Sequence, residues 1–203
     1  MISSVSPQAS SGGAARLVLV RHGQTDWNLE RRFQGQTDIA LNELGYRQAQ
    51  QAAERLQAFA ASARQSDPDF SWQVIVSSPL LRARQTAEVI ASQLGLSLAG
   101  IYPGMQERSF GQAEGMRVTA ENRLKVEEFF EDVEPLEQLR SRGIAALNQV
   151  RQDFAGCHTI VVAHGMWISQ VLTEVTGSEV AIPANADFLE LAEATSKNLL
   201  VGR

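Results

Sequence analysis

Leu17-Val18-Leu19-Val20-Arg21-His22-Gly23 decides how the rest of the chain is read. Four successive aliphatic residues suit a strand buried on both faces, the kind found in parallel sheets covered by helices. The strand then ends abruptly on Arg21, His22 and Gly23. The same grammar recurs twice. Val74-Ile75-Val76 runs into Ser77-Ser78-Pro79 with Arg82 just beyond, and Thr159–Ala163 runs into His164-Gly165.

Between these strands the apolar spacing changes to that of helices. Asn42 is the expected N-cap of a helix from Glu43, with Leu44, Ala49, Ala52, Leu56 and Phe59 on one face and Ser66-Asp67-Pro68 ending it. Pro79 is expected in the first turn of a second helix that closes at Gly95. A weaker strand is predicted near Leu96–Ile101, a loop over Gly104 to Gly115, and a short polar helix over Glu121–Asp132. After Pro135, the residues Leu136, Leu139, Gly143, Leu147, Val150 and Phe154 step by three and four, which predicts a longer helix with one buried stripe. Met166–Thr176 reads as a helix ended by Gly177. Phe188–Leu191 and Leu199–Val201 are late strand candidates. Strands alternating with helices predict an α/β fold with a doubly wound, mostly parallel sheet. The expected organisation is one domain over residues 16–203, after a Ser-, Gly- and Ala-rich leader over 1–15 that lacks the basic and apolar regions of a secretory signal.

Composition narrows the function. At 203 residues the chain is long enough for one self-supporting core. No apolar run reaches the roughly 18 residues of a membrane span, so no membrane partner is expected. A net charge of −5 argues against general nucleic-acid binding, which needs concentrated positive charge. The lone cysteine, Cys157, excludes an intramolecular disulfide framework and fits a reducing, cytoplasmic setting. Nothing sets the oligomeric state, which leaves a homodimer open. The cations are almost all arginine, with lysine only at Lys125 and Lys197. Compositional bias accounts for that, and so does a need for guanidinium groups to hold an anion.

In an open parallel sheet, ligands bind outside the carboxyl ends of the strands. Three strands here deliver His22, His164, Arg21 and Arg82 to that edge. The only other histidine, His158, falls at the start of its strand on the opposite edge and reads as structural. Guanidinium groups beside the histidines do not suit a metal cation but do suit a phosphoryl group, which needs several charge-assisted donors. An unprotonated histidine nitrogen is a competent nucleophile, and neighbouring cations favour the unprotonated form. A leaving alkoxide needs a proton, and Glu107, in a glycine-flanked loop after the third strand, is the best-placed carboxyl group in the sequence.

These residues resemble the signature of the histidine phosphatase superfamily, which includes the cofactor-dependent phosphoglycerate mutases. The resemblance lies in Leu19-Val20-Arg21-His22-Gly23-Gln24-Thr25-Asp26-Trp27-Asn28 and continues through Phe33-Gln34-Gly35-Gln36-Thr37-Asp38 and Leu41-Asn42-Glu43-Leu44-Gly45. It resumes at Ser77–Ala83 with Gln85-Thr86-Ala87, at Glu107–Gly111 with Glu114-Gly115, and at Ala163-His164-Gly165. It implies a three-layer α/β/α sandwich with one antiparallel edge strand. By the same resemblance His22 is the phosphorylated residue and Glu107 the proton donor. Arg21, Asn28, Arg82 and His164 form the phosphate pocket, and Gln34, Gly35 and Gly165 lie next to the substrate. No metal or nucleotide cofactor is implied.

The family pattern is departed from at three places: Glu134-Pro135-Leu136 stands where relatives often carry Gly-Glu-Ser, Ala163 precedes the second histidine, and Met166 follows His164-Gly165. They are expected to border the substrate and bear on specificity. The stretch between Glu107 and His164 lacks the longer insertion of the mutases, which favours a phosphomonoester hydrolase over a phosphoglycerate mutase. A phospholigand-binding protein without activity is the remaining alternative. Met105 and Met116, flanking Glu107, are candidates for an apolar substrate wall. Trp27, Trp72 and Trp167 read as packing residues.

Overall fold

A computed structural model describes residues 14–191. The expected strand Leu199–Val201 and most of the expected leader lie outside them. Five strands, β1 (Leu17–Arg21), β2 (Val74–Ser77), β3 (Leu98–Ile101), β4 (Thr159–Ala163) and β5 (Phe188–Leu191), form one sheet in the order β3-β2-β4-β1-β5. The first four run parallel and β5 pairs antiparallel with β1 at the edge. This is the mixed, mostly parallel sheet that the sequence predicts.

Alternation along the strands builds two cores. Leu17, Leu19, Val74, Val76 and Val161 point to one face, where α5 (Leu136–Asp153) and α6 (Gly165–Thr176) supply Leu139, Leu147, Trp167 and Ile168. Val18, Val20, Ile75, Ile160 and Val162 point to the other, against Ala52, Leu56, Ala87 and Ile90 of α2 (Glu43–Ala63) and α3 (Leu81–Leu94). Burying each large aliphatic side chain contributes about 1.5–3 kcal/mol. A one-residue slip would exchange the two sets, so register is strongly held. In that register Arg21 pairs with Ala163 and Ser77 with Val162, which brings the ends of β1, β4 and β2 side by side.

Two local expectations change. Pro79 is not in the first turn of α3, which begins at Leu81 after an extended Leu80 with no cap of its own. The cap comes from far away in sequence: the Asp38 carboxylate accepts the Leu81 N–H at 2.6 Å. A four-residue helix not predicted from the sequence, α1 (Asp26–Leu29), follows Thr25, with Thr25 and Asn28 forming a reciprocal capping box. The Glu107 region is largely irregular, as expected, with 3-10 turns at Pro103–Met105 and Gly111–Ala113. The polar helix α4 (Ala120–Phe129) follows it. Among the described residues no helix is long and apolar enough to cross a membrane.

Candidate active site

Arg21 ends β1 and His22 leaves it, its N–H still bonded to the Ala163 carbonyl at 3.0 Å. The His22 ring is buried, and its Nδ1 lies 2.7 Å from the Gly23 carbonyl oxygen. A carbonyl only accepts, so Nδ1 carries the proton and Nε2 keeps the lone pair. Arg82 Nε donates to that Nε2 at 3.3 Å. Burial, then the charges of Arg82 and Arg21, hold the ring well below the usual histidine range, against a smaller opposing effect of the Gly23 carbonyl. His22 is therefore a neutral imidazole at physiological pH with its free nitrogen aimed at a cation.

Gly23 is required by contact. A Cβ there would lie 2.4 Å from the Gly45 carbonyl oxygen, where α2 begins. The Gly23 N–H donates to Thr86 Oγ1 at 3.0 Å, and Thr86 donates in turn to the Arg82 carbonyl at 2.7 Å. The main chain beside His22 and the turn carrying Arg82 are thus one unit.

Arg82 is fully buried and donates to the carbonyls of Gly35 at 2.7 Å and Thr37 at 2.9 Å. Burial lowers it to about 10, with the Glu107, Asp38 and Glu114 charges opposing, so it stays charged at neutral pH. Gly35 sits at φ 51, and a Cβ there would fall 1.8 Å from the Glu114 carboxylate. That carboxylate accepts the N–H groups of Gln36, Thr37 and Phe110 and the Thr37 hydroxyl, tying the loop that receives Arg82 to the Glu107 loop. Gln34 is buried beside them with Oε1 unpartnered.

His164 is the N-cap residue of α6, and its ring centroid lies 5.3 Å from that of His22. Its Nε2 is 2.7 Å from Ser78 Oγ, at the end of β2. Burial, then Arg82 and His22, hold it well below the usual range too. Its Nδ1 is buried without a partner, and so is Arg21 Nε, while Arg21 Nη1 is fixed on the Pro183 carbonyl at 2.8 Å. A buried polar group left unpaired costs about 1–3 kcal/mol. Both groups lie at the sheet edge that carries His22. Gly165 opens α6 here, where a Cβ would lie 3.1 Å from Arg21 Nε.

Glu107 reaches the same edge. Its Oε1 accepts the N–H groups of Arg108 at 2.9 Å and Trp167 at 3.0 Å, and Oε2 accepts that of Met166 at 3.1 Å. The carboxylate thus caps α6, where the helix dipole favours an anion. Its charge raises the proton affinity of both Arg21 and Arg82 against the dominant effect of burial. Asn28 is half-buried, with Oδ1 taken by Thr25 and by Asn185 Nδ2 at 3.2 Å. Asn185 Nδ2 also donates to the His22 carbonyl at 3.1 Å.

The sequence-derived set therefore converges, with His158 on the opposite edge against Arg16, Asp67 and Phe70. Met105 is buried in the core and does not line a substrate wall, while Met116 is exposed. Glu134 stands against the Glu107 loop, where its Oε2 accepts the Ser109 N–H at 3.1 Å. Its carboxylate is buried and pairs with Arg142. Asn185 and Thr86 were not singled out by the sequence. Thr86 lay inside a recognised block, and Asn185 had no signal because its partners are about 160 residues away.

Two histidines, two guanidinium groups and a carboxyl group at the C-terminal edge of a parallel sheet define the class, and the chain belongs to the histidine phosphatase superfamily (branch 1), whose family model matches residues 17–196. The chain is 39% identical to the uncharacterized phosphatase PhoE of Bacillus subtilis, over 80% of this chain and 78% of that protein. It is 31% identical to the probable phosphoglycerate mutase GpmB of Yersinia pestis, over 85% and 78%. Among solved structures, a mycobacterial glucosyl-3-phosphoglycerate phosphatase in complex with VO3 superimposes with a TM-score of 0.72 at 26% identity, covering 88% of this chain and 91% of that one.

Proposed function

We propose that this chain hydrolyses a small phosphomonoester through a phosphohistidine at His22, in a cytoplasmic setting and without a metal. The observation that carries the reading is the His22 ring, whose Nδ1–H is held on the Gly23 carbonyl so that the Nε2 lone pair faces Arg82. Arg21, Arg82, His164 and the Asn28 amide hold the phosphoryl oxygens, the first and third through the nitrogens that no protein group occupies. Nε2 attacks phosphorus, the phosphorus–oxygen bond to the alcohol breaks, and Glu107, which enters this step as the protonated acid, gives that oxygen its proton and is left as the carboxylate. Water then attacks the phosphohistidine, Glu107 takes its proton, and the nitrogen–phosphorus bond breaks to release phosphate. The cationic donors stabilise charge on the equatorial oxygens, usually the largest contribution in phosphoryl transfer.

The mutase-named relative makes phosphate return to the substrate the competing reading. Incubation with a phosphoglycerate, following free phosphate and isomer exchange together, separates them. The hydrolase reading predicts free phosphate as the main product, undiminished by a chelator. Rapid isomer exchange with negligible phosphate release overturns it.

A further inference from the structure

Glu107 sits in an irregular stretch, so its backbone carbonyls have no strand or helix partners and must find others. Arg142, on α5, supplies them. Its Nη1 donates to the carbonyls of Gly104 at 3.0 Å and Gln106 at 2.7 Å, and its Nη2 to that of Glu107 at 2.9 Å. The fork also grips the Glu134 carboxylate, from Nε at 2.6 Å and Nη2 at 2.8 Å. Glu134 closes the circuit, since its Oε2 accepts the Ser109 N–H at 3.1 Å and its carbonyl accepts Arg108 Nε at 2.7 Å. Burial raises the Glu134 carboxyl, but the Arg142 hydrogen bond and charge, the Ser109 N–H and Arg108 outweigh it and hold the group below its ordinary range.

The Glu107 main chain is thus fastened from behind by α5, and its carboxyl group from in front by α6. We propose that Arg142, through its pairing with Glu134, is a positioning residue that sets the Glu107 carboxyl for proton transfer. The assignment rests on the proton-donor reading of Glu107. Its logic is geometric. Without the guanidinium fork, the Gln106 carbonyl loses its partner, the Gly104 and Glu107 carbonyls keep only Trp167 Nε1 and Gln36 Nε2, and the buried Glu134 carboxylate keeps only the Ser109 N–H, so the loop shifts to find water or other donors. The Met166, Trp167 and Arg108 N–H groups still tether the carboxyl group near the site, so it is displaced and not lost. A displacement near 1 Å costs on the order of 10²-fold in rate.

A proton donor matters when the leaving oxygen is strongly basic and hardly at all when it is not. The test therefore compares kcat/KM, which reports the first phosphoryl transfer, for an alkyl phosphate such as glycerol phosphate and for 2,4-dinitrophenyl phosphate. Glu107→Gln, Arg142→Met and Arg142→Lys are compared with the parent. Arg142→Met should lose about 10–10²-fold more on the alkyl ester than on the dinitrophenyl ester. Arg142→Lys, which keeps the charge beside Glu134 but not the fork, should show a smaller loss with the same selectivity, and it carries the comparison if Arg142→Met does not fold. Equal losses on both esters, or none, overturn the positioning role. If Glu107→Gln itself loses equally on both, it is the proton-donor reading that has failed.

Discussion

Acid should destabilise this protein in a window set by its active-site histidines. His22 is 3% exposed and His164 0%, and burial first, then the Arg82 charge, hold both well below the 6.5 of a free imidazole. The unfolded chain takes up protons at those rings as the pH falls through 6.5, while the folded chain does not. The unfolded state therefore binds more protons, and stability declines toward acid. Each ring contributes a slope of up to about 1.4 kcal/mol per pH unit, and the pair up to about 2.7, in the window between the unfolded and folded values. That is a large part of a total stability on the order of 5–15 kcal/mol. His158, also lowered chiefly by burial, adds a contribution of the same sign from the far edge of the sheet. Glu134 acts in a separate, more acidic window, because its carboxyl is held below the usual 4.5 and loses its contribution only as the pH falls through that lower range. The assay is urea unfolding at intervals from about pH 7.5 to about pH 5.5, spanning the unfolded imidazole value, with the midpoint read at constant m. The double variant His22→Ala/His164→Gln should lose most of the parent's slope in that window. An unchanged slope would refute the claim that these two rings are held neutral by their burial.

Two substitutions probe the supports around His22. Thr86→Val keeps the shape but leaves the Gly23 N–H without its acceptor, and should lower stability by about 1–3 kcal/mol in urea unfolding; a neutral effect would mean that water replaces the hydroxyl. Asn185→Ala removes the donor shared by the His22 carbonyl and Asn28 Oδ1, and should lower kcat/KM by about tenfold with little change in melting temperature. An equal fall in stability would make Asn185 a structural residue.

The parts of the site that were legible in the sequence are those that local chemistry dictates. Leu17–Val20, Val74–Val76 and Ile160–Ala163 are apolar without interruption because both faces of each strand are covered, and the polar residues that follow had to lie at the sheet's edge. Asn42 and Gly95 announce helix ends through their own hydrogen bonding and backbone preference, and the structure places them there. What was hidden depends on partners distant in sequence. The cap of α3 belongs to Asp38, so nothing at Leu80 announces it. Glu134 stands out in the sequence only as a departure from the family pattern, but its neighbour in space is Arg142, and the pair holds the loop that carries Glu107. Met105 flanks Glu107 in sequence yet points into the core, because the turn at Pro103–Met105 packs it against α5.

The central claim is that the phosphoryl group is carried on His22. Rapid mixing with a phosphorus-labelled monoester, an alkaline quench that preserves phosphohistidine, and peptide mapping test it most directly. The account predicts acid-labile label on the peptide containing His22, absent in His22→Ala. Turnover with no label at His22, or label on Ser77 or Ser78, would contradict it.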